Sequence, residues 1–307
     1  MDGARLGPAR TAQVDDAPPA RQTGAPRYPR YRLIRERRGP WLQLFDVAGF
    51  EWNRLEVAID DLPDALVGLR ILHLSDLHLR SRWLAGYDTL IERLRQSPPD
   101  LIVVSGDFVE HRADHRAALP TLRRLITGLS SRLGTYAILG NHDGDLLGPR
   151  LRDWGVRDVS GRTARLESPN ATLEIVGVPS VSRLDLDDAW LGSIGPRQPG
   201  VPRVVLSHYP DSIRRLAPLE CDLILAGHTH GGQVCLPGGW PIITHDKLPR
   251  RMSKGVHALP SGALLVVHRG FGFADLPLRV FCPAEVIEIE LVHDPVSPRP
   301  ERERFSS

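Results

Sequence analysis

Cysteine is scarce: Cys221, Cys235 and Cys282 are the only three in 307 residues. An odd number at wide spacing offers neither a disulfide framework nor a thiolate zinc motif. Cys221 and Cys282 have apolar neighbours, which favours inert buried thiols and a reducing compartment. Also missing is any apolar run near the roughly 20 residues that cross a bilayer. The N-terminus lacks the apolar core of a secretory leader. The chain is therefore expected to be cytoplasmic and soluble, or at most peripheral at the inner face of the membrane. Charge of one sign is lacking too. The 39 Lys and Arg against 37 Asp and Glu leave a formal net charge of +2, too small to imply specific nucleic-acid binding. Oligomeric state is not written in the sequence.

What is present divides into three stretches. Residues 1–40 are rich in Pro, Ala, Gly and Arg and poor in aliphatic residues. Such a segment buries too little apolar surface to offset its ordering entropy, so a disordered basic extension is expected. Its end, from Arg27 to Arg38, is strongly basic, and Trp41, Leu42, Leu44, Phe45, Phe50 and Trp52 follow. Two readings stay open: peripheral contact of this segment with an anionic membrane, or a solvated tail leading into a packed strand. Composition favours the second. A polar tail at residues 295–307 is expected to fray. Residues 41–294 read as one domain, long enough for a sizeable core.

Within that domain strand and helix alternate. Short continuous apolar runs at Ile71–Leu74, Leu101–Val104, Tyr136–Leu139, Val204–Leu206 and Leu223–Ala226 suit buried strands. Leu84, Tyr87, Ile91 and Leu94 recur at helical spacing, as do Leu122, Leu125, Ile126 and Leu129. Leu264–Val267 and Val286–Leu291 read as strands closing a second sheet. The expected class is α/β.

Each of the five runs leads into polar, metal-capable residues. They are Asp76 and His78; Asp107; Asn141, His142 and Asp143; His208; and His228 with His230. Ligands gather outside the carboxyl ends of strands in α/β sheets, so five such loops predict one cluster. Carboxylates, imidazoles and an amide without cysteine suit two divalent ions, Mn, Fe, Zn or Mg. Alternate residues of an extended segment share a face, so Asp76-Leu77-His78 and His228-Thr229-His230 can each present two ligands. A metal-bridging hydroxide attacking phosphorus is the chemistry this set predicts, with Asp107 the candidate bridge. His142 is a candidate for contacting phosphate or protonating the leaving oxygen, with Asp143 to orient it. His73, His245, His257, His268 and His293 have no partner block and read as structural. The Trp190 and Trp240 segments read either as an apolar substrate wall or as loop anchors.

The blocks SDLH (75–78), GDFVE (106–110), GNHD (140–143), SH (207–208) and GHTHGGQ (227–233) resemble, in order and separation, the signature of calcineurin-like metallophosphoesterases. The resemblance implies a four-layer αββα sandwich of two mixed β-sheets with a dimetal site at one edge. It implies Asp76, His78, Asp107 and His230 on one metal, and Asp107, Asn141, His208 and His228 on the other. Glu110 stands where Asp is common, and little consequence is expected. LRILHLSDLHL, GHTHGGQVCLP and LVVHRGFGFADLPLRVFCPAEV resemble a bacterial branch of membrane-associated phosphodiesterases and UDP-2,3-diacylglucosamine pyrophosphatases. A phosphoester or nucleotide-linked lipid substrate is the expectation drawn from it. The alternatives are a general phosphodiesterase or phosphatase of small substrates, or a catalytically silent interaction protein on the same fold.

Overall fold

The computed structural model describes residues 31–36, 38–111, 115–144, 146–179 and 186–293. Most of the basic extension and the polar tail from residue 295 lie outside these.

Two mixed sheets stack face to face. The first has seven strands in the order Tyr31–Arg35, Glu51–Ala58, Glu285–Val292, Arg70–Leu74, Leu101–Val104, Thr135–Ala137 and Val156–Asp158. The last four run parallel to one another. Glu285–Val292 joins them antiparallel to Arg70–Leu74 and parallel to Glu51–Ala58. The second sheet has six strands: Gly255–Ala258, Leu264–Val267, Leu223–Ala226, Arg203–Ser207, Ala171–Gly177 and Thr163–Ser168. Its four central strands are parallel and its two edges antiparallel.

The period-2 alternation of strand side chains assigns the layers. Ile71, Leu101, Val103, Val204, Leu206, Leu223, Leu225, Leu264 and Val266 form the core between the sheets. Leu72, Leu74, Ile102 and Val104 face the other way, against the helices Ala85–Gln96, Leu119–Gly128 and Leu147–Asp153. Val205, Ile224, Ala226, Leu265 and Val267 turn to a third core under Asp188–Ile194 and Ile213–Leu216. Helix, sheet, sheet, helix is the expected sandwich. Because central strands bury both faces, they read as unbroken apolar runs.

Tyr31–Arg35 falls inside the stretch expected to be disordered, yet it pairs along its whole length with Glu51–Ala58. All five of its residues are exposed. Backbone pairing at a sheet edge orders it without the apolar burial that composition reports. Among the described residues no helix is long and apolar enough to cross a membrane.

Candidate metal centre

The parallel strands end level with one another. Leu74 aligns with Val104, Val104 with Ala137, and in the second sheet Ser207 with Ala226. The loops leaving these five ends meet where both sheets share a rim, and all seven expected metal ligands come together there.

Two groups converge. Asp76, His78 and His230 offer ligand atoms within 4.8 Å of one another, as do Asp107, His208 and His228. Asn141 Oδ1 joins the second group, 2.9 Å from His208 Nε2 and 3.1 Å from His228 Nδ1. Asp107 Oδ2 stands between the groups, 3.2 Å from His208 Nε2 and 3.5 Å from His78 Nε2. A carboxylate that must touch two ions belongs in such a position.

The outer ring nitrogens are anchored to protein oxygens. His208 Nδ1–H donates to the Ser105 carbonyl at 2.9 Å, and His228 Nε2–H donates to the His245 carbonyl at 3.0 Å. His78 Nδ1–H donates to Glu110 Oε2 at 2.7 Å. Each anchor fixes a tautomer whose remaining lone pair faces the centre, as metal-binding imidazoles require. The His78 and His230 Nε2 atoms face each other at 2.9 Å. Only one of them can carry the proton between them, and a cation would take that proton's place. The residues present therefore fit a pair of divalent ions.

The backbone here is unusual. Asp76 (φ 51°), His78 (φ 42°), Asp107 (φ 56°), His228 (φ 68°) and His230 (φ 51°) all adopt the left-handed region. Non-glycine residues there cost about 1 kcal/mol or more each. The two Asp-x-His and His-x-His pairs thus reach one site by tight left-handed turns, not by the extended segment expected from alternation. Two glycines make room. A Cβ on Gly140 would lie 2.2 Å from Asp107 Oδ1, and one on Gly227 would lie 1.9 Å from Ser75 Oγ.

Burial and neighbouring charge compete across the ligand set. Burial disfavours a charged His208, but Asp107 outweighs it and lifts the imidazole to about 9. Burial likewise opposes ionisation of Asp107, and His208 with His78 holds that carboxyl well below the usual range. Glu110 follows the same logic: burial raises it, while the His78 hydrogen bond and charge bring it down to about 2. His230 is kept neutral by burial, with the His78 and Arg279 charges adding to it.

Several residues hold places the sequence did not announce. Glu110, expected to matter little, is a junction. Its Oε2 takes His78, its Oε1 takes Arg80 Nη2 at 3.0 Å and the Asp275 N–H at 2.8 Å, and its carbonyl accepts His142 Nδ1–H at 2.6 Å. Asp143 does not orient His142. Its oxygens accept backbone N–H bonds from Asp107, Phe108, Val109 and Gly140, so it ties two ligand loops together. His142 is held by Glu110, packs edge-on against His78 at 4.8 Å, and donates its backbone N–H to Asp107 Oδ1. Tyr209 packs edge-on against both His208 and His228, at 5.1 and 4.5 Å. Arg279, fully buried, brings Nη2 to 3.3 Å from His230 Nδ1. Trp190 lies on the helix Asp188–Ile194, not on a loop, and packs half-buried against the third core. Trp240 is exposed on a short hairpin. His73 and His268 are buried against each other at 5.0 Å, in keeping with a structural reading.

Residues 69–232 match the description of calcineurin-like phosphoesterases. That stretch is over half of the chain and contains every metal-ligand candidate. The chain belongs to the calcineurin-like phosphoesterase family. Members use two divalent metals, and this protein is a hydrolase acting on phosphate esters. Among curated proteins it is 31% identical over 256 residues to the phosphodiesterase YaeI of Escherichia coli strain K12, covering 79% of this chain and 88% of that one. It is 30% identical over 235 residues to the metallophosphoesterase YkuE of Bacillus subtilis, covering 73% and 79%. Over 293 residues it is 26% identical to the UDP-2,3-diacylglucosamine pyrophosphatase LpxG of Chlamydia trachomatis, covering 75% and 85%.

Proposed function

We propose that the protein hydrolyses a phosphodiester or pyrophosphate bond in an amphiphilic substrate, with UDP-2,3-diacylglucosamine the first compound to try. Asp76, His78, Asp107 and His230 would hold one ion, and Asp107, Asn141, His208 and His228 the other. When bound, two such ions supply Lewis-acid charge that acidifies water and neutralises phosphate oxygens. The protein's own residues do the rest. Ser105, His245 and Glu110 lock the ligand tautomers. His142, with Nδ1–H committed to the Glu110 carbonyl, keeps Nε2 for a phosphate oxygen or for a proton at the leaving oxygen.

The observation that carries the substrate class is a cavity of about 300 Å³ that opens onto His78. Phe45, Leu84, Tyr87, Phe273 and Pro277 give it apolar walls, and Arg82 adds a cation beside Arg80, which is paired with Glu110. Apolar walls with a few charged groups suit a ligand having an aliphatic part and an anionic part. The name of LpxG supports the same class.

Incubation of manganese-loaded protein with UDP-2,3-diacylglucosamine in detergent, following UMP, tests the reading. Release of UMP is expected. No release beside intact hydrolysis of bis(p-nitrophenyl) phosphate would discard the lipid and leave a phosphodiesterase of small substrates.

Phe45 of this cavity is exposed, as are Leu44 and Leu276, the chain neighbours of its lining residues Phe45 and Pro277, which supports peripheral contact with a membrane holding such a substrate. Flotation with phosphatidylglycerol vesicles is expected to need Leu44 and Phe45. Equal flotation of a Leu44→Ser/Phe45→Ser variant would reject that contact.

A further inference from the structure

A second cavity, of about 590 Å³, lies behind the metal loop and is not part of the centre described above. That volume suits a small molecule. Four cations line it, Arg35, Arg38, Lys254 and Arg269, against two carboxylates, Glu51 and Glu285.

The two carboxylates are already engaged. Glu51 Oε2 and Glu285 Oε2 both bind Arg269 Nη2. Glu51 Oε1 accepts the Gly39 N–H at 2.9 Å, and Glu285 accepts from Asn53 Nδ2 at 2.8 Å and from the Arg269 N–H at 2.7 Å. Arg35, Arg38 and Lys254 therefore have no carboxylate partner among the described residues. Lys254 is the telling one. Its half-buried ammonium meets the Gly239 carbonyl and, at 3.7 Å, Cys235 Sγ. An ammonium has three donors, and a partly buried cation is costly without an anion beside it.

The cavity also has an aromatic lining. Trp41 is 62% exposed and stacks at 5.7 Å, tilted, on Phe281. Both rings line the cavity, with Val256 beside them. A flat ring laid on Trp41 would hide apolar surface that the fold leaves in water. Three cations without a carboxylate partner and an open indole in one cavity suit a ligand that carries both a phosphate and a planar ring.

We propose that this cavity binds a nucleotide, its phosphate between Arg35, Arg38 and Lys254 and its base against Trp41. The site is distinct from the hydrolytic centre but touches it through one residue. A Cβ on Gly231, next to His230, would lie 2.8 Å from Arg269 Cγ and 3.2 Å from Lys254 Cδ.

Titration of the manganese-loaded full chain with AMP, read by tryptophan fluorescence and by calorimetry, tests the site. AMP binding is expected, weakened about tenfold or more in Arg35→Glu/Arg38→Glu and in Trp41→Ala. Hydrolysis of bis(p-nitrophenyl) phosphate should be unchanged in these variants without AMP. AMP affinity unaltered in the double variant would put the nucleotide at the metal centre and overturn the proposal. So would inorganic phosphate binding as tightly as AMP, since the ring would then contribute nothing. If AMP does not bind and the double variant instead loses flotation with phosphatidylglycerol vesicles, the cations serve a lipid headgroup and the nucleotide assignment falls.

Discussion

Glu110 Oε2 accepts the Nδ1–H of His78 at 2.7 Å, and this one hydrogen bond fixes which nitrogen of a metal-ligand candidate faces the centre. A carboxylate behind a ligating imidazole raises its basicity and holds its plane. Glu110→Gln keeps an acceptor but removes the charge. Manganese affinity, measured by calorimetry, should fall by about 10–100-fold, and the thermal midpoint of the metal-free protein should fall too, since an amide NH₂ turned away from His78 meets Arg80 and the Asp275 N–H. Wild-type affinity in the variant would show that the contact only packs the loop.

Asp143 makes a contrasting case. Four backbone N–H groups share its two oxygens inside the protein. In Asp143→Asn, whichever way the amide is turned, its NH₂ meets two N–H donors. A loss of about 3 kcal/mol in urea unfolding is expected, and activity should fall with the folded fraction. A variant of unaltered stability that loses turnover alone would return Asp143 to a direct catalytic role.

Removal of metal should silence the enzyme. Dialysis against a chelator is expected to lower phosphodiester hydrolysis at least about a hundredfold, and added Mn²⁺ to restore it. Asp107→Asn should not be rescued by Mn²⁺ while keeping a wild-type circular dichroism spectrum. Hydrolysis that survives chelation would refute the two-ion site.

Far from the centre, Asp61 predicts the acid limb of stability. Its hydrogen bond to Arg197 brings its carboxyl down to about 2, burial opposing. A depressed carboxyl stabilises the fold above its unfolded value and loses that contribution as pH falls through the folded one. The wild type should therefore melt above Asp61→Asn at pH 6, with the gap closing between about pH 4 and pH 2. A gap that stays constant across this range would mean the ion pair contributes nothing.

Much of the protein was legible because its central strands are buried on both faces. Leu101–Val104 and Leu223–Ala226 have no exposed residue, so each writes itself as an apolar run followed by a ligand. Edge strands leave no such trace. Tyr31–Arg35 is exposed throughout and Thr163–Ser168 nearly so, and hydrogen bonding to a neighbour is invisible in composition. The same limit governs the site. Ligand types announce themselves, but the carbonyls of Ser105 and His245 that orient His208 and His228 belong to the backbone. Glu110 was passed over because its chemistry is second-hand, exerted through His78.

The left-handed backbone at Asp76, His78, Asp107, His228 and His230 sets this chain apart from a relic that keeps only the architecture. Glycine or asparagine would sit more comfortably at each position, so the fold alone would be better served by them. Five left-handed non-glycine residues standing together are a stability cost that only their side chains' place at the metal centre accounts for.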